Sequence, residues 1–572
     1  MKHHIIELLK KEGIKIDENI IEPPKLKQHG DLSLPCFILT KEQGKNPAQI
    51  AKELEEALNK HKSSIIENIQ ATGPFLNFTF NAQEYSKELI TNYSVPISTK
   101  HPQKILIEFP SPNTNKYLHI GHTRNMLIGN ALYLLLKKVG HEVITTNLNN
   151  DKGISICYAM LGYQRYKEKE TPQSLGLKTD EYVAYLYAKI SNIIKEEEKI
   201  YEKEQSPTHL EAMNMLERWE AGDEEVLNLW REVLEFVYEG YEKTYHHYKL
   251  HPFDREFYES EIYDKGRELV EQALENNVRG MFVDKDNGAI GIDLEDVGLG
   301  TKYLLRGNKT TLYMTQDIYL ASVKEELFSP DKSIFIVGHE QEYHFNVLFE
   351  ILERFGLGGE DKNYHFSYGY VFDKEGKKFS SRAGNVIGAD EIYEQCVNRA
   401  KENLLERSAH LSKDEIEKRS HVIGFGALAF YFLKSAPTHS IHFDIDKALS
   451  FEGETGPYVQ YSYARIQSLI KRSGFKVSHL QERELQFTRE HIPILETISK
   501  YPQVVIESAE KFKISHLAHY IMQLCRQFNE LYQTKQFIGD EKEFELLYLS
   551  HLTAHTVKKG LRLLHIDVLE EM

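Results

Sequence analysis

The spacing of apolar and polar positions changes several times along the 572-residue chain. The opening stretch MKHHIIELLKKEGIKIDENI is amphipathic at helical spacing and predicts a first helix. A loop rich in Pro and Gly follows (EPPKLKQHGDLSLP), then a helix from about Asn46 to Lys60 and a strand over ATGPFLNFTFN. Asn46 suits an N-cap, and Pro47 suits the first helical position, where a missing N–H costs nothing. YSVPISTKHPQ then reads as a linker, so residues 1–96 form a small α+β module.

From Lys104 the pattern becomes KILIEF, a short apolar run, followed after SPNTNKYLHIGH by the long helical pattern TRNMLIGNALYLLLKKVGH and a second run, EVITTNL. Met126, Leu127, Asn130, Ala131, Leu134 and Leu135 share one helical face, Lys137 and Lys138 occupy the last turn, and Gly140 can end it. Strand, helix and strand in that order predict a right-handed βαβ unit of a parallel sheet. KSIFIVGHE and HFSYGYVF are further parallel-strand candidates. Residues of about 166–245 read as acidic amphipathic helices, a solvated insertion, and the chain beyond Asp446 is strongly helical. The expected organisation is multidomain α/β: a module at 1–96, an α/β domain at 97–445 carrying the insertion, and an all-α domain at 446–572.

Composition supports folded domains, with 41% hydrophobic and 27% charged residues and no low-complexity tract. No window reaches the roughly 18 consecutive apolar residues of a membrane helix, and the N-terminus has no small-residue cleavage site after an apolar core. Cys36, Cys157, Cys396 and Cys525 lie far apart without a CxxC pair, which predicts neither a disulfide framework nor structural zinc and fits a reducing cytoplasm. The net charge of -16 at first argues against a polyanionic partner. Its distribution changes that: residues 166–245 hold 10 basic against 19 acidic side chains, whereas 1–96 hold 12 against 13 and 446–572 hold 16 against 17. The acidity is local, and the flanking modules remain compatible with RNA.

The chemistry concentrates in two places. His119-Ile120-Gly121-His122 follows a strand and opens a helix, where free N–H groups and the helix dipole favour a phosphate. Gly121 would let a nucleotide approach the backbone, and His119 and His122, three apart, could both donate to phosphate oxygens. Lys377-Lys378-Phe379-Ser380-Ser381-Arg382, on a Gly-containing loop after HFSYGYVF, offers ammonium and hydroxyl groups suited to a leaving pyrophosphate.

This pair, in this order, resembles the HIGH and KMSKS signatures of class I aminoacyl-tRNA synthetases, with Phe379, Ser381 and Arg382 departing from the second pattern. EFPSPNTNKYLHIGHTRN matches the arginyl-tRNA synthetases almost throughout. That family typically has a lysine at the position of Lys116, thought to supply the charge of the missing second KMSKS lysine. GDLSLPCFILTKEQGKNPAQIAKEL, NLNNDKGISI, GETGPYVQYSYARIQSLIKR and LLHIDVLEEM extend the resemblance over nearly the whole chain. A HIGH-bearing nucleotidylyltransferase would be much smaller and would lack the helical C-terminal region.

The resemblance implies a Rossmann-type class I catalytic domain between an N-terminal tRNA-contacting module and a helical anticodon-binding domain. It implies a cytoplasmic, monomeric enzyme that activates L-arginine with ATP and transfers it to tRNA(Arg). Magnesium is expected to accompany ATP, with no protein cage for it legible. Lys116, His119, His122 and Lys378 are implied as catalytic, with Gly121, Ser380 and Ser381 also at ATP. Glu108, Ser111, Asn113, Tyr313, Asp317 and Gln341 are implied around arginine, whose planar guanidinium favours bidentate carboxylate partners. Tyr313 and Asp317, four apart, share a face if TLYMTQDIYLA is helical. HEQEYH at His339 to His344 lacks the HExxH spacing of a zinc protease. Tyr458 and Tyr461 could stack on anticodon bases, and Met572 matches the family's usual closing residue.

Overall fold

Strands form where the apolar runs are shortest and most β-branched. The structure, a computed structural model, describes residues 1–572 apart from 378, 380–385, 408–410 and 479–484 and the side chains of residues 27 and 407. It folds as two compact units, one of residues 1–96, 466–503 and 523–556, the other of residues 97–465, 504–522 and 557–572. The helical C-terminal stretch is thus shared between them in chain terms.

In the first unit, β1 (Leu32–Pro35), β2 (Ile66–Thr72) and β3 (Phe75–Phe80) form an antiparallel sheet of order β1-β3-β2. The single strand expected over ATGPFLNFTFN is instead a hairpin, because Gly73 adopts φ 57° and reverses the chain between β2 and β3. Helix Pro47–Asn59 starts as expected, with Asn46 Oδ1 accepting from the Ala48 N–H at 2.9 Å, and buries Ile50, Ala51, Leu54 and Leu58. A helix not anticipated, Ala82–Tyr93, is capped by Asn81. The Arg489 guanidinium donates to both Asp31 carboxylate oxygens at 3.1 Å and to the Phe80 carbonyl at 2.6 Å, tying the later helices of this unit to its sheet.

The second unit contains β4 (Lys104–Glu108), β5 (Glu142–Asn149), β6 (Arg255–Tyr258), β10 (Lys332–Gly338) and β11 (Asn363–Tyr368), all parallel, in the order β11-β10-β4-β5-β6. A small antiparallel sheet of β7 (Met281–Val283), β8 (Ile290–Asp293) and β9 (Thr301–Leu305) packs Ile290, Ile292, Leu304 and Leu305 into a core shared with Phe345, Leu348 and Leu352. The helix after β4, Ile120–Lys138, was expected to bury one face. It buries 14 of its 19 residues, on all sides, because the sheet covers one flank and the helices of residues 389–433 another.

One of those buried residues is Arg124, which is fully inaccessible and has no carboxylate partner in the described residues. Its guanidinium donates to the carbonyls of Gly369 (2.6 Å), Pro437 (2.8 Å) and His439 (2.7 Å), with longer contacts to Tyr370 and Ala436. Burial lowers its pKa to about 10, so it keeps its charge at neutral pH. Carbonyl dipoles here do the work of an anion, and they hold two separate segments against the helix. Arg124→Met should lower the unfolding free energy by at least about 3 kcal/mol, since buried acceptors left unpaired cost about 1–3 kcal/mol each. Urea denaturation of the purified variant measures this, and an unchanged midpoint would contradict it.

Candidate functional site

Chain order along the parallel sheet reverses between β4 and β10: β5 and β6 lie to one side of β4, β10 and β11 to the other. Ligands of open α/β sheets bind in the crevice at the carboxyl ends of such strands. Here β4 ends at Glu108 and β10 at Gly338, and three cavities adjoin there. One of about 400 Å3 is lined by Glu108, Ser111, Asn113, Asp317, Lys324 and Gln341 among others. A second, of about 340 Å3, is lined by Lys116, His119, Gly121, His122, Tyr370 and Phe379. Both share His122, Gly338, Glu340 and Tyr368. The third, of about 610 Å3, is reached past Lys116 and His119 and includes Lys152, Tyr187, Glu259 and Tyr313.

The turn between β4 and the long helix is held from several directions. Ser111 has the left-handed φ of 52°, a strained conformation for serine. It is retained because its N–H donates to Asn147 Oδ1 at 3.1 Å and its Oγ accepts from the Leu148 N–H at 3.3 Å. Thr114 N–H donates to the Asn150 carbonyl, and Asn150 N–H to that of Pro112, continuing the β4–β5 pairing past the strands. Buried Tyr241, from the insertion helix Glu224–His247, donates to the carbonyls of Asn113 and Lys116.

The two histidines differ from the expectation of free N–H groups at the helix start. His119 Nδ1 accepts from the Gly121 N–H at 3.1 Å, His122 Nδ1 accepts from the His119 N–H at 3.0 Å, and the Ile120 N–H donates to the Ile387 carbonyl. A Cβ on Gly121 would meet the His119 ring at 2.9 Å, so the glycine makes room for that imidazole. Burial and the nearby Lys116 charge lower the His119 pKa to about 4, and burial pushes His122 well below its usual value. Both rings are therefore neutral, with Nδ1 committed as acceptor and the proton on Nε2. What the helix presents to an anion is a pair of imidazole Nε2–H donors beside the Lys116 ammonium.

Of the six residues expected around arginine, Glu108, Ser111, Asn113, Asp317 and Gln341 line one cavity. Tyr313 does not: it opens the helix Tyr313–Phe328, is 76% exposed, and lines the 610 Å3 cavity instead. A lysine and a histidine already stand at the carboxylates. Buried Glu108 forms an ion pair with buried Lys324, and Asp317 Oδ2 bonds His344 Nε2 at 2.7 Å. That hydrogen bond raises the His344 pKa against the opposing effect of burial. Neither Lys324 nor His344 was assigned from the sequence. Lys324 falls seven residues after Asp317, a helical spacing that returns it to the same face, and this was the available signal.

Lys378, Ser380 and Ser381 lie outside the described residues. The segments that flank them do reach the site. Phe379 lines the cavity of His119 and His122, and the segment 387–389 pairs with 118–120, Ala389 N–H donating to the Leu118 carbonyl. The insertion is likewise more than a solvated excursion. Its outer residues are acidic and exposed, but Ala184, Tyr187 and Ala188 wall the 610 Å3 cavity, and Lys178, Thr244 and His247 converge on Asp390, whose carboxyl pKa falls to about 2. Of the residues proposed to meet RNA, Tyr461 and Met572 line one cavity of about 420 Å3 with Phe451, while Tyr458 is half-buried and does not line it. Arg465 stacks over the Tyr461 ring at 4.9 Å.

Comparison with known proteins agrees with this geometry. Residues 85–445 match the catalytic domain of class I (R) tRNA synthetases, residues 459–572 the DALR anticodon binding domain, and residues 1–80 the arginyl tRNA synthetase N terminal domain. Arginine–tRNA ligases of Porphyromonas gingivalis and Bacteroides thetaiotaomicron are each 35% identical, over 96% and 98% of this chain and 95% and 97% of their own. The arginyl-tRNA synthetase structure from Thermus thermophilus superposes with a TM-score of 0.78 at 25% identity, covering 100% of this chain and 99% of that one. The chain belongs to the arginyl-tRNA synthetase family, with a class I catalytic domain built on a parallel sheet and a helical DALR domain at its C-terminal end.

Proposed function

We propose that the 400 Å3 cavity holds L-arginine and the 340 Å3 cavity the phosphates of ATP, in an arginine–tRNA ligase that acts in the cytoplasm as a monomer. The observation that carries the assignment is the shared wall: His122, Gly338, Glu340 and Tyr368 border both spaces, at the switch point of the sheet. An arginine whose guanidinium lies between Glu108 and Asp317 would present its α-carboxylate toward that wall, past Ser111 and Asn113. One carboxylate oxygen attacks the α-phosphorus, the bond to the β-phosphate oxygen breaks, and pyrophosphate leaves. The adenylate then passes its arginyl group to a ribose hydroxyl at the 3′ end of tRNA(Arg), the 2′-hydroxyl on the class I resemblance.

Positioning and charge stabilisation are what the protein contributes. His119 and His122 donate Nε2–H to phosphate oxygens without a protonation step, since both are already neutral. Lys116, at the border of the phosphate cavity and the 610 Å3 cavity, stands beside the leaving pyrophosphate. Lys378, Ser380 and Ser381 are assigned to the same pyrophosphate on the sequence pattern alone. ATP enters as its magnesium complex. Among the described residues lining its cavity Glu340 is the sole carboxylate, so the metal is held mainly by phosphate oxygens. In the C-terminal cavity, the Tyr461 ring and Met572 are the proposed anticodon contacts, with Tyr458 assigned a supporting place beside them. The four cysteines, all buried and outside any disulfide, suit a reducing compartment.

Asp317→Ala should raise the KM for arginine at least about thirtyfold, because a guanidinium left without its partner carboxylate loses roughly 2 kcal/mol or more. The KM for ATP should stay within about twofold. Pyrophosphate exchange in the presence of tRNA measures both, and equal losses would place Asp317 outside the pocket. Lys116→Ala should slow activation on the order of a hundredfold, as for loss of one donor to developing charge. Unchanged single-turnover activation would remove Lys116 from the reaction. The pH dependence has a definite sign. Protonated His344 and the arginine guanidinium compete for Asp317, so arginine binds best when His344 is neutral. The KM for arginine should climb as pH falls through the raised His344 pKa, and His344→Gln should flatten that climb. A pH profile identical in the two proteins would contradict the competition.

A further inference from the structure

The buried pair between Glu108 and Lys324 places a cation inside a pocket that has to receive a cationic substrate. Lys324 is 3% and Glu108 8% exposed, and both line the same cavity. Lys324 Nζ bonds Glu108 Oε2, and its ammonium lies over the rings of Phe335 and Phe257, 5.1 Å and 5.7 Å from their centroids. Glu108 Oε1 accepts no hydrogen bond from the described residues. A carboxylate this deeply buried would not stay ionised without a partner when the pocket is empty. Lys324 supplies that partner, and in doing so it occupies one of the two oxygens.

We propose that Lys324 is a positioning and specificity residue of the amino-acid pocket, pairing with Glu108 Oε2 so that only Oε1 is offered to the substrate, and filling the place where a free lysine ammonium would bind. The inference rests on the assignment of this cavity to arginine. With Oε2 taken by Lys324, a guanidinium lying between the two carboxylates meets one oxygen of Glu108 and keeps its remaining donors for Asp317. An ammonium is a compact point charge that gains most by approaching Glu108 along the Oε2 side, and there it meets Lys324. Net charge follows the same logic. Glu108 and Lys324 cancel, which leaves the Asp317 carboxylate for the guanidinium, with Glu340 on the wall shared with the phosphate cavity.

The test compares Lys324→Met, Lys324→Arg, Glu108→Gln and the Lys324→Met/Glu108→Gln double variant in full-length protein. Pyrophosphate exchange is run with tRNA, and thermal melts accompany each variant. Lys324→Met should raise the KM for arginine about tenfold or more while the KM for ATP stays within about twofold. It should also strengthen inhibition by free lysine. Lys324→Arg should restore the arginine KM to within about threefold of wild type, because the charge is kept. In the double variant the effect of losing Lys324 should vanish, because it acts through the carboxylate. An unchanged arginine KM in Lys324→Met, or an effect that persists undiminished when Glu108 is already Gln, overturns the proposal. Glu108→Gln separates the two levels of inference: if it leaves the arginine KM untouched, the assignment of the cavity itself fails, whereas a large Glu108→Gln effect with a silent Lys324→Met defeats the role of Lys324 alone.

Discussion

The site depends on a buried guanidinium that has no counter-ion among the described residues. Arg124 sits one turn into the helix that begins at His119, and its donors reach carbonyls at 369–370 and at 436–439. The first of these segments follows β11 and leads toward the Lys377–Arg382 stretch; the second precedes β13 (Ile441–His442), which pairs in parallel with β12 (Val371–Phe372). A carboxylate would have satisfied the charge at one point. Several carbonyls satisfy it while binding two separate pieces of chain, one before β12 and one before β13, to the helix that opens at His119.

Around this anchor the electrostatics are economical. The two histidines are kept neutral by burial and by Lys116, so they act as fixed N–H donors and leave the mobile charge to lysines. In the neighbouring cavity Glu108 is ion-paired with Lys324, and Asp317 is hydrogen-bonded to a histidine whose pKa is raised. Charge is thereby placed before any substrate arrives, which lowers the reorganisation needed when phosphates or a guanidinium enter. The acidic insertion belongs to the same economy. Its exposed side carries the negative charge of the chain, while its inner side contributes Tyr241, whose hydroxyl holds the backbone turn between Asn113 and Lys116.

Much of this was legible in the linear pattern. KILIEF, EVITTNL, KSIFIVGHE and the first part of HFSYGYVF supply strands of one parallel sheet, the end of HFSYGYVF forms β12 in a separate pair, and a helix does open at the His119–His122 motif. Five of the six residues expected around arginine do line one space. The departures have specific causes. Gly73 reverses the chain because only its backbone takes a positive φ there without cost, which splits one apolar run into a hairpin. Tyr313 shares a helical face with Asp317, yet at the first helical position its ring projects beyond the cavity into the adjoining one.

The sequence by itself determined the strand and helix periods, the order of the two phosphate-binding motifs and the family, because each is written in local spacing that no tertiary contact has to supply. Only the tertiary structure decided which proton each histidine keeps, that Gly121 makes room for an imidazole, that Arg124 is held by carbonyls, and that Lys324 and His344 stand at the two carboxylates. Those facts depend on desolvation and on partners up to hundreds of residues away in the chain. The free energy of a charged or polar group is set by what surrounds it in space, and a linear pattern carries no measure of that.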